Sequence, residues 1–364
     1  MLKHMTTAPF IRRLAKNVPH LFRREPCYLL TEILLTYHCT QRCLQCCIPQ
    51  KAADTKRMGI EDFKTVVDRL DEYGAHGIIL SGGEPLLYPQ LIDCIEYVAR
   101  KRFTYLHLLS TLFASGTKVE RLVKALLTHR MSITCSFDGF GPLADELRGG
   151  KNVSTIVMEN MEFLDRENRK RGRPIKTGVN IVISQINLHQ IPEILSYIER
   201  IGWLASLDVY RYTSDNQIED DRMKIEDLDE LRRVIELAKR SPAVVTPTWL
   251  LDGHVRYREN NLPKLCPYLL SPSLGSRFFV HPNGDVKVCL GSKVGNLLAQ
   301  TPREILDSSE WRTRQEEFVD CRGCWTTCHT PFAKLSNYDW EESTRAYRVL
   351  RNYKNFPSNG AEVP

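Results

Sequence analysis

No apolar run in this chain approaches the ~18 residues of a membrane-spanning helix, so a spanning segment is not expected. No secretory leader is read at its start. Twelve cysteines without a leader argue against a disulfide scaffold and for a reducing compartment, so a cytoplasmic protein is expected. Charge of one sign is also missing. Lys and Arg number 50 against 44 Asp and Glu, and the net charge of +6 is too mild to imply nucleic acid. Internal repeats and low-complexity tracts are absent. What remains is ordinary for a globular protein: 42% hydrophobic and 26% charged residues over 364 positions, a length that favours about two domains.

Against that background three cysteines stand out. Cys39-Thr40-Gln41-Arg42-Cys43-Leu44-Gln45-Cys46 is a C-x3-C-x2-C triplet. Three thiolates on one short loop suit a cubane iron–sulfur cluster and leave one iron without a protein ligand. An open coordination position marks a metal centre that does chemistry. Cytosolic cysteine clusters are often zinc sites instead. Cys47 follows the third ligand directly; its side chain should point away, as a small apolar filler.

The flanks fit the first reading. Thr31–Tyr37 contains Ile33, Leu34 and Leu35 and reads as a buried strand. A second apolar run, Ile78-Ile79-Leu80-Ser81, ends in Gly82-Gly83-Glu84-Pro85. Glycines there let the backbone approach a ligand closely. Freed carbonyls and Glu84 could accept hydrogen bonds from an ammonium group.

With these two motifs the chain resembles the radical S-adenosylmethionine (SAM) superfamily. The resemblance implies that Cys39, Cys43 and Cys46 ligate a 4Fe-4S cluster whose open iron is chelated by the amino and carboxylate groups of SAM. It implies reductive cleavage of SAM to a 5′-deoxyadenosyl radical that abstracts hydrogen from a substrate. Gly82, Gly83 and Glu84 would hold the methionine amino group. Gln45 stands where the family often has an aromatic that stacks near adenine. Cys135-Ser136-Phe137-Asp138-Gly139, followed by Asp145-Glu146-Leu147-Arg148-Gly149, resembles a further family pattern, with Ala144 in place of its histidine. Ser136 and Arg148 would then contact SAM, Arg148 through a charge-assisted bond to the carboxylate. A reducing partner such as flavodoxin or ferredoxin is also implied.

Residues 30–213 read as alternating strands and helices, the signature of a parallel sheet with helices outside. Helix Ile60–Tyr73 should bury Phe63, Val66, Val67 and Leu70. The next should bury Leu91, Cys94, Ile95 and Val98, which makes Cys94 core. Further strands fit Thr104–Leu109, Ser132–Phe137, Val179–Ser184 and Leu207–Tyr212. Helices fit Lys118–His129, Val153–Asn168 and Gln190–Ile201. Six units result, matching the α/β partial (β/α)6 barrel of the resembled family, with binding residues at the carboxyl ends of the strands. Ser110, Thr111, Asn187, Tyr210 and Arg211 are weaker strand-end candidates.

Residues 1–29 form a basic arm. Lys3, Arg12, Arg13, Lys16, Arg23 and Arg24 interleave with apolar residues, a pattern that fits an anionic membrane surface or an acidic partner. A helix packed on the barrel, broken at Pro19, fits as well. Residues 214–260 read as a linker and helix: eight acidic residues lie between Ser214 and Glu230, then a helix near Leu228–Lys239. Residues 336–364 read as a tail.

Residues 261–335 hold a second cysteine group: Cys266, Cys289, Cys321, Cys324 and Cys328. Phe278–Cys289 reads as a hairpin turning at Asn283-Gly284. Thr301-Pro302-Arg303-Glu304 is a capping box with proline at the first helical position. The region resembles the SPASM and shorter twitch auxiliary-cluster domains, and five cysteines imply one auxiliary 4Fe-4S cluster. Cys266, Cys289, Cys321 and Cys324 are its expected ligands, with Cys328 able to replace one; a zinc ribbon has the same thiolate count.

Three functions compete. One is oxidative modification of a peptide or natural product. Another is radical chemistry on a small sugar or lipid, favoured by the fewer than forty residues before Cys39, too few for an added peptide-binding domain. The third is a noncatalytic iron–sulfur or zinc scaffold or electron carrier. The triplet together with Gly-Gly-Glu-Pro argues against a carrier, which needs neither an open iron nor an ammonium pocket.

Overall fold

The computed structural model describes residues 29–46, 48, 57–211, 219–259, 276–289, 291–320 and 325. Buried strand β1 (Leu29–Leu34) precedes the cysteine loop, and helix α1 (Ile60–Tyr73) follows it. Strand–helix units then repeat: β2 (Gly77–Ser81) and α2 (Leu91–Ala99), β3 (Tyr105–Ser110) and α3 (Gly116–His129). β4 (Ser132–Ser136) is followed by two helices, α4 (Gly141–Arg148) and α5 (Val153–Lys170). β5 (Thr177–Ile183), α6 (Ile191–Ile201) and β6 (Leu204–Val209) complete six parallel strands laid side by side in chain order.

The expected helices stand where their periodicity puts them. α1 buries Phe63, Val66, Val67 and Leu70, and α2 buries Leu91, Cys94, Ile95 and Val98. Cys94 is a core residue whose thiol burial pushes up, as is Cys135 on β4. The first and last strands begin a few residues before the expected positions, because the polar strand ends belong to ligand-facing loops rather than to the ladder. α4 was not foreseen; it occupies the stretch read only as a motif.

Two more helices, α7 (Leu228–Arg240) and α8 (Thr248–Arg258), lead to the hairpin strands β7 (Ser276–Val280) and β8 (Asp285–Val288), then to β9 (Lys293–Asn296). The hairpin turns at Asn283-Gly284 as expected, with Gly284 at φ +81°. Its placement was not legible in sequence. β7 pairs in parallel with β1, Leu29 opposite Ser276 and Ile33 opposite Val280, so one sheet runs β6-β5-β4-β3-β2-β1-β7-β8-β9. The predicted capping box closes short helix α9 (Pro302–Leu306), and α10 (Ser309–Asp320) follows. Arg69 of α1 clasps this module by donating to the carbonyls of Leu297 (3.0 Å) and Gln300 (2.8 Å). Among the described residues no helix is long and apolar enough to cross a membrane. The basic arm through residue 28, the tail, and Cys47, Cys266, Cys321, Cys324 and Cys328 lie outside the described residues.

Candidate active site

Parallel strands all end at one edge, so the loops after β1 to β5 converge there. They enclose a cleft of about 270 Å³ lined by Cys39, Cys43, Cys46, Gly83, Ser136 and Arg148, together with Gln41, Gln45, Thr111, Asn180 and Val182. Among the described residues no His, Cys, Asp or Glu trio converges tightly enough to hold a single metal ion. The three thiols are instead spread around one cleft.

The cysteine loop is pinned on two sides. On one side the Gly-Gly turn lies backbone against backbone on the chain leading to Cys39. Gly83 N–H donates to the Thr36 carbonyl (2.7 Å) and Glu84 N–H to the His38 carbonyl (2.9 Å). Gly82 adopts φ +138°; a Cβ there would meet the Thr36 carbonyl oxygen at 2.4 Å, and one on Gly83 would meet the His38 oxygen at 2.3 Å. Only glycine permits that approach. On the other side, Arg42 N–H donates to the Arg148 carbonyl and Leu44 N–H to the Leu147 carbonyl, each at 3.1 Å. Gly149, at φ +60°, has the Arg42 carbonyl where its Cβ would lie, 2.4 Å away. Within the loop, Arg42 Nη1 donates to the carbonyls of Cys39 (2.7 Å) and Gln41 (2.9 Å).

Glu84 differs from the expected ammonium acceptor. It is 1% exposed. Its Oε1 accepts from Leu86 N–H (2.9 Å) and the Ser110 hydroxyl (2.7 Å), and its Oε2 accepts from Thr111 N–H (2.7 Å) and the Thr111 hydroxyl (2.6 Å). Four bonds fill a carboxylate's capacity. Glu84 therefore ties the Gly-Gly turn to the end of β3, which is also the role of Ser110 and Thr111.

Arg148 is buried and ion-paired with Asp138, which also accepts from Val182 N–H (2.8 Å). Its Nη1 points to Cys43 Sγ at 3.9 Å. Against the cost of burial, Asp138 and Cys43 hold its proton more tightly than usual. Asn187 is a corner brace: its amide donates to the carbonyls of Asp138 (2.8 Å) and Val182 (2.9 Å), and its oxygen accepts from Ser184 N–H (2.7 Å). The Tyr210 hydroxyl accepts from Asp220 N–H (3.1 Å). Cys289, half-buried, leaves β8 at φ +57°. The Tyr37 hydroxyl, two residues before Cys39, is hydrogen-bonded to His281 Nδ1 at the turn of the β7–β8 hairpin, so that hairpin touches the cysteine loop.

The cleft has the character of a site that takes a polar ligand and a cation-bearing centre. Among the described residues, both polar atoms of the buried Gln41 amide, Gln45 Oε1 and Arg148 Nε find no hydrogen-bond partner, and such orphans are costly unless a ligand meets them. Burial, with Glu84 and Cys43 adding to it, pushes the Cys39 thiol up to about 11. A thiol so placed is a poor anion by itself and becomes a good one only against positive metal. These residues fit an iron–sulfur cluster and a polar cofactor. Sequence reasoning missed Gln41, Asn180 and Val182. Alternation along β5 carried the signal for the last two: Val179, Ile181 and Ile183 face the helices, so Asn180 and Val182 face the cleft.

Residues 33–198 match the Radical SAM superfamily. Among curated proteins, the Fe-coproporphyrin III synthase of Methanosarcina barkeri is 25% identical over 45% of this chain and 39% of its own length. The PqqA peptide cyclase of Bradyrhizobium diazoefficiens is 25% identical over 72% of this chain and 66% of its own. The chain thus spans less than two thirds of either relative. Among solved structures, SuiB of Streptococcus suis superposes with a TM-score of 0.61 at 16% identity, covering 83% of this chain and 71% of that one. SuiB has also been solved bound to S-adenosylmethionine and bound to its precursor peptide SuiA. The match to the Radical SAM superfamily over residues 33–198 spans β2 to β5 and the loops that line the thiol-bearing cleft at their ends.

Proposed function

We propose that this chain is a radical SAM enzyme that carries out oxidative modification of a peptide or natural product. The observation that carries the reading is the joint enclosure of one cleft by Cys39, Cys43, Cys46 and the Gly-Gly turn, with orphaned amides facing into it. Cys39, Cys43 and Cys46 would hold the cluster. Among the described residues no hydrogen bond ends on the Gly82 or Gly83 carbonyl, which leaves both for the methionine ammonium. Glu84 serves them indirectly, by fixing the turn. Arg148, anchored by Asp138, supplies positive charge beside the thiols and the SAM carboxylate, while Ser136 and Asn180 offer polar contacts across the cleft. Cluster and SAM, when bound and reduced by a flavodoxin- or ferredoxin-like donor, supply hydrogen abstraction from the substrate.

Peptide substrates are favoured by the PqqA peptide cyclase relative and by the SuiB structure with SuiA. Oxidation needs an acceptor for the substrate's electron. We assign that role to one auxiliary 4Fe-4S cluster in a SPASM/twitch-like region over 261–335, held by Cys289 with Cys266, Cys321 and Cys324, or with Cys328 replacing one. The Tyr37–His281 contact sets the turn of the β7–β8 hairpin against the cysteine loop, and Cys289 lies at the far end of β8, past Val288, which pairs with Phe278. The test is anaerobic reconstitution with iron and zinc counting and an assay for 5′-deoxyadenosine. About eight irons per chain with 5′-deoxyadenosine formed supports the proposal. About four irons and one zinc would make the C-terminal site structural, and a fully loaded protein that never forms 5′-deoxyadenosine would overturn the enzyme reading.

A further inference from the structure

Beyond the β5 wall of the cleft lies edge strand β6, and its inner face is charged. In the β5–β6 register Asn180 pairs with Ser206 and Val182 with Asp208. Register partners project from the same face of a sheet. Asp208 therefore stands on the face from which Asn180 and Val182 line the cleft. α8 packs against β6 and brings His254 and Arg258 to this point.

His254 is fully buried, and neither ring nitrogen has a hydrogen-bond partner among the described residues. Its Nε2 lies 3.6 Å from Asp208 Oδ1, beyond bonding distance. Burial, helped by Arg258 and Arg211, holds the ring neutral. Arg258 is locked in place by donating to the carbonyls of Tyr210 (2.5 Å) and His254 (2.8 Å). Burial, with Arg211 adding to it and Asp208 opposing, brings Arg258 down to about 10. Arg211 follows Tyr210 just past the end of β6, and its buried Nε has no partner among the described residues. Asp208 offsets the charge of Arg258, and Arg211 adds a second like charge beside it. Among the described residues, Asp220 pairs with Arg222 (2.6 Å), Glu219 with Lys224 (2.6 Å) and Glu146 with Arg222 (2.9 Å).

Crowded like charges and buried unmet donors are unfavourable until an anion joins them. We propose that Arg211, Arg258 and His254 form a subsite for an anionic group of the substrate, a carboxylate or a phosphate. The Arg211 guanidinium fork matches the planar or tetrahedral oxygens of such a group, Arg258 adds its charge, and neutral His254 adds one N–H. Tyr210 shares an apolar cluster with Val182 and with Leu44 of the cysteine loop. A substrate anchored here would extend along β5 toward the thiols. The inference rests on the reading of the adjoining cleft as the active site and deepens it by stating the charge of the substrate.

The test is thermal melting of the reconstituted full-length protein in phosphate or succinate, each against chloride at matched ionic strength. A saturable rise in melting temperature is expected. Loss of one charged donor should weaken anion affinity about tenfold or more, so Arg211→Gln should shift the midpoint by at least that factor. Arg222→Gln, outside the cluster, should not. Should R211Q fail to fold, Arg211→Lys keeps the charge without the fork, and several-fold weakening is expected. A response to phosphate alone or to succinate alone identifies the group. No saturable response, or wild-type affinity in the Arg211 variant, overturns the proposal. So does loss of the response in saturating SAM, which would give the anion site to the cofactor. The readout needs no turnover, so it fails separately from the 5′-deoxyadenosine assay.

Discussion

Glu84→Gln separates a residue that fixes the ligand-binding turn from one that binds ligand itself. The wild-type carboxylate receives two backbone N–H groups and two hydroxyls, and it is fully enclosed. A glutamine can turn its oxygen to either side, but its NH2 then faces the other. On the Oε1 side that confronts Leu86 N–H; on the Oε2 side, Thr111 N–H. The hydroxyls of Ser110 and Thr111 can rotate to accept, but a backbone N–H cannot. One buried donor is left unmet, at roughly 1–3 kcal/mol, and the bonds on the oxygen side lose their charge assistance. Relief from burying a charge offsets part of this, leaving a net cost of about 2–4 kcal/mol. An unfolding entropy of about 2.1 cal/mol/K per residue gives roughly 0.8 kcal/mol/K for this chain, hence a melting temperature lower by about 3–5 °C. Differential scanning calorimetry of the reconstituted protein measures it. A drop under about 1 °C would mean that the network is not rigid and that this account of Glu84 is wrong. The positioning role also predicts that weaker SAM binding accompanies the loss of stability.

Cys43→Ala should remove about four irons per chain and abolish 5′-deoxyadenosine formation, read by iron analysis and chromatography. Cys324→Ala should spare some uncoupled SAM cleavage while blocking product; wild-type behaviour would refute the auxiliary-cluster assignment. Gly149→Ala places a methyl at 2.4 Å from the Arg42 carbonyl and at φ +60°, so the cysteine loop must shift; cluster occupancy should fall while the far-ultraviolet circular dichroism stays unchanged. Asp285 is held below its ordinary value, because hydrogen bonds from Lys293, Asn296 and Asn283 outweigh its burial. A depressed carboxylate gives stability that is present above the unfolded value near 4 and lost as pH falls through the folded one. Asp285→Asn should therefore destabilise at neutral pH and flatten the melting temperature's dependence on pH in that acidic window.

The motifs and their order were legible in the chain because each rests on local chemistry. Thiol spacing, a Gly-Gly turn and helical periodicity act within a few residues, so the cysteine loop, the buried stripes of α1 and α2, the hairpin at Asn283-Gly284 and the capping box at Thr301 could all be read from one stretch at a time. The six-unit parallel alternation followed from the same local periods. Roles that depend on distant partners could not be read this way. Glu84 looks like a free acceptor until Ser110 and Thr111, some 26 residues on, close around it. Arg148 looks like a freely mobile charge until Asp138 and Cys43 engage its terminal nitrogens and leave its Nε unmatched among the described residues. Asn187 looks like a strand-end polar residue until its amide spans Asp138 and Val182. Which groups could do chemistry was legible along the chain. Which of them were already spent on one another, which stood orphaned in the cleft, and that β7 joins β1 and brings the hairpin turn to the active edge were settled by folding; those outcomes are set by contacts between residues far apart in the chain, which no local pattern encodes.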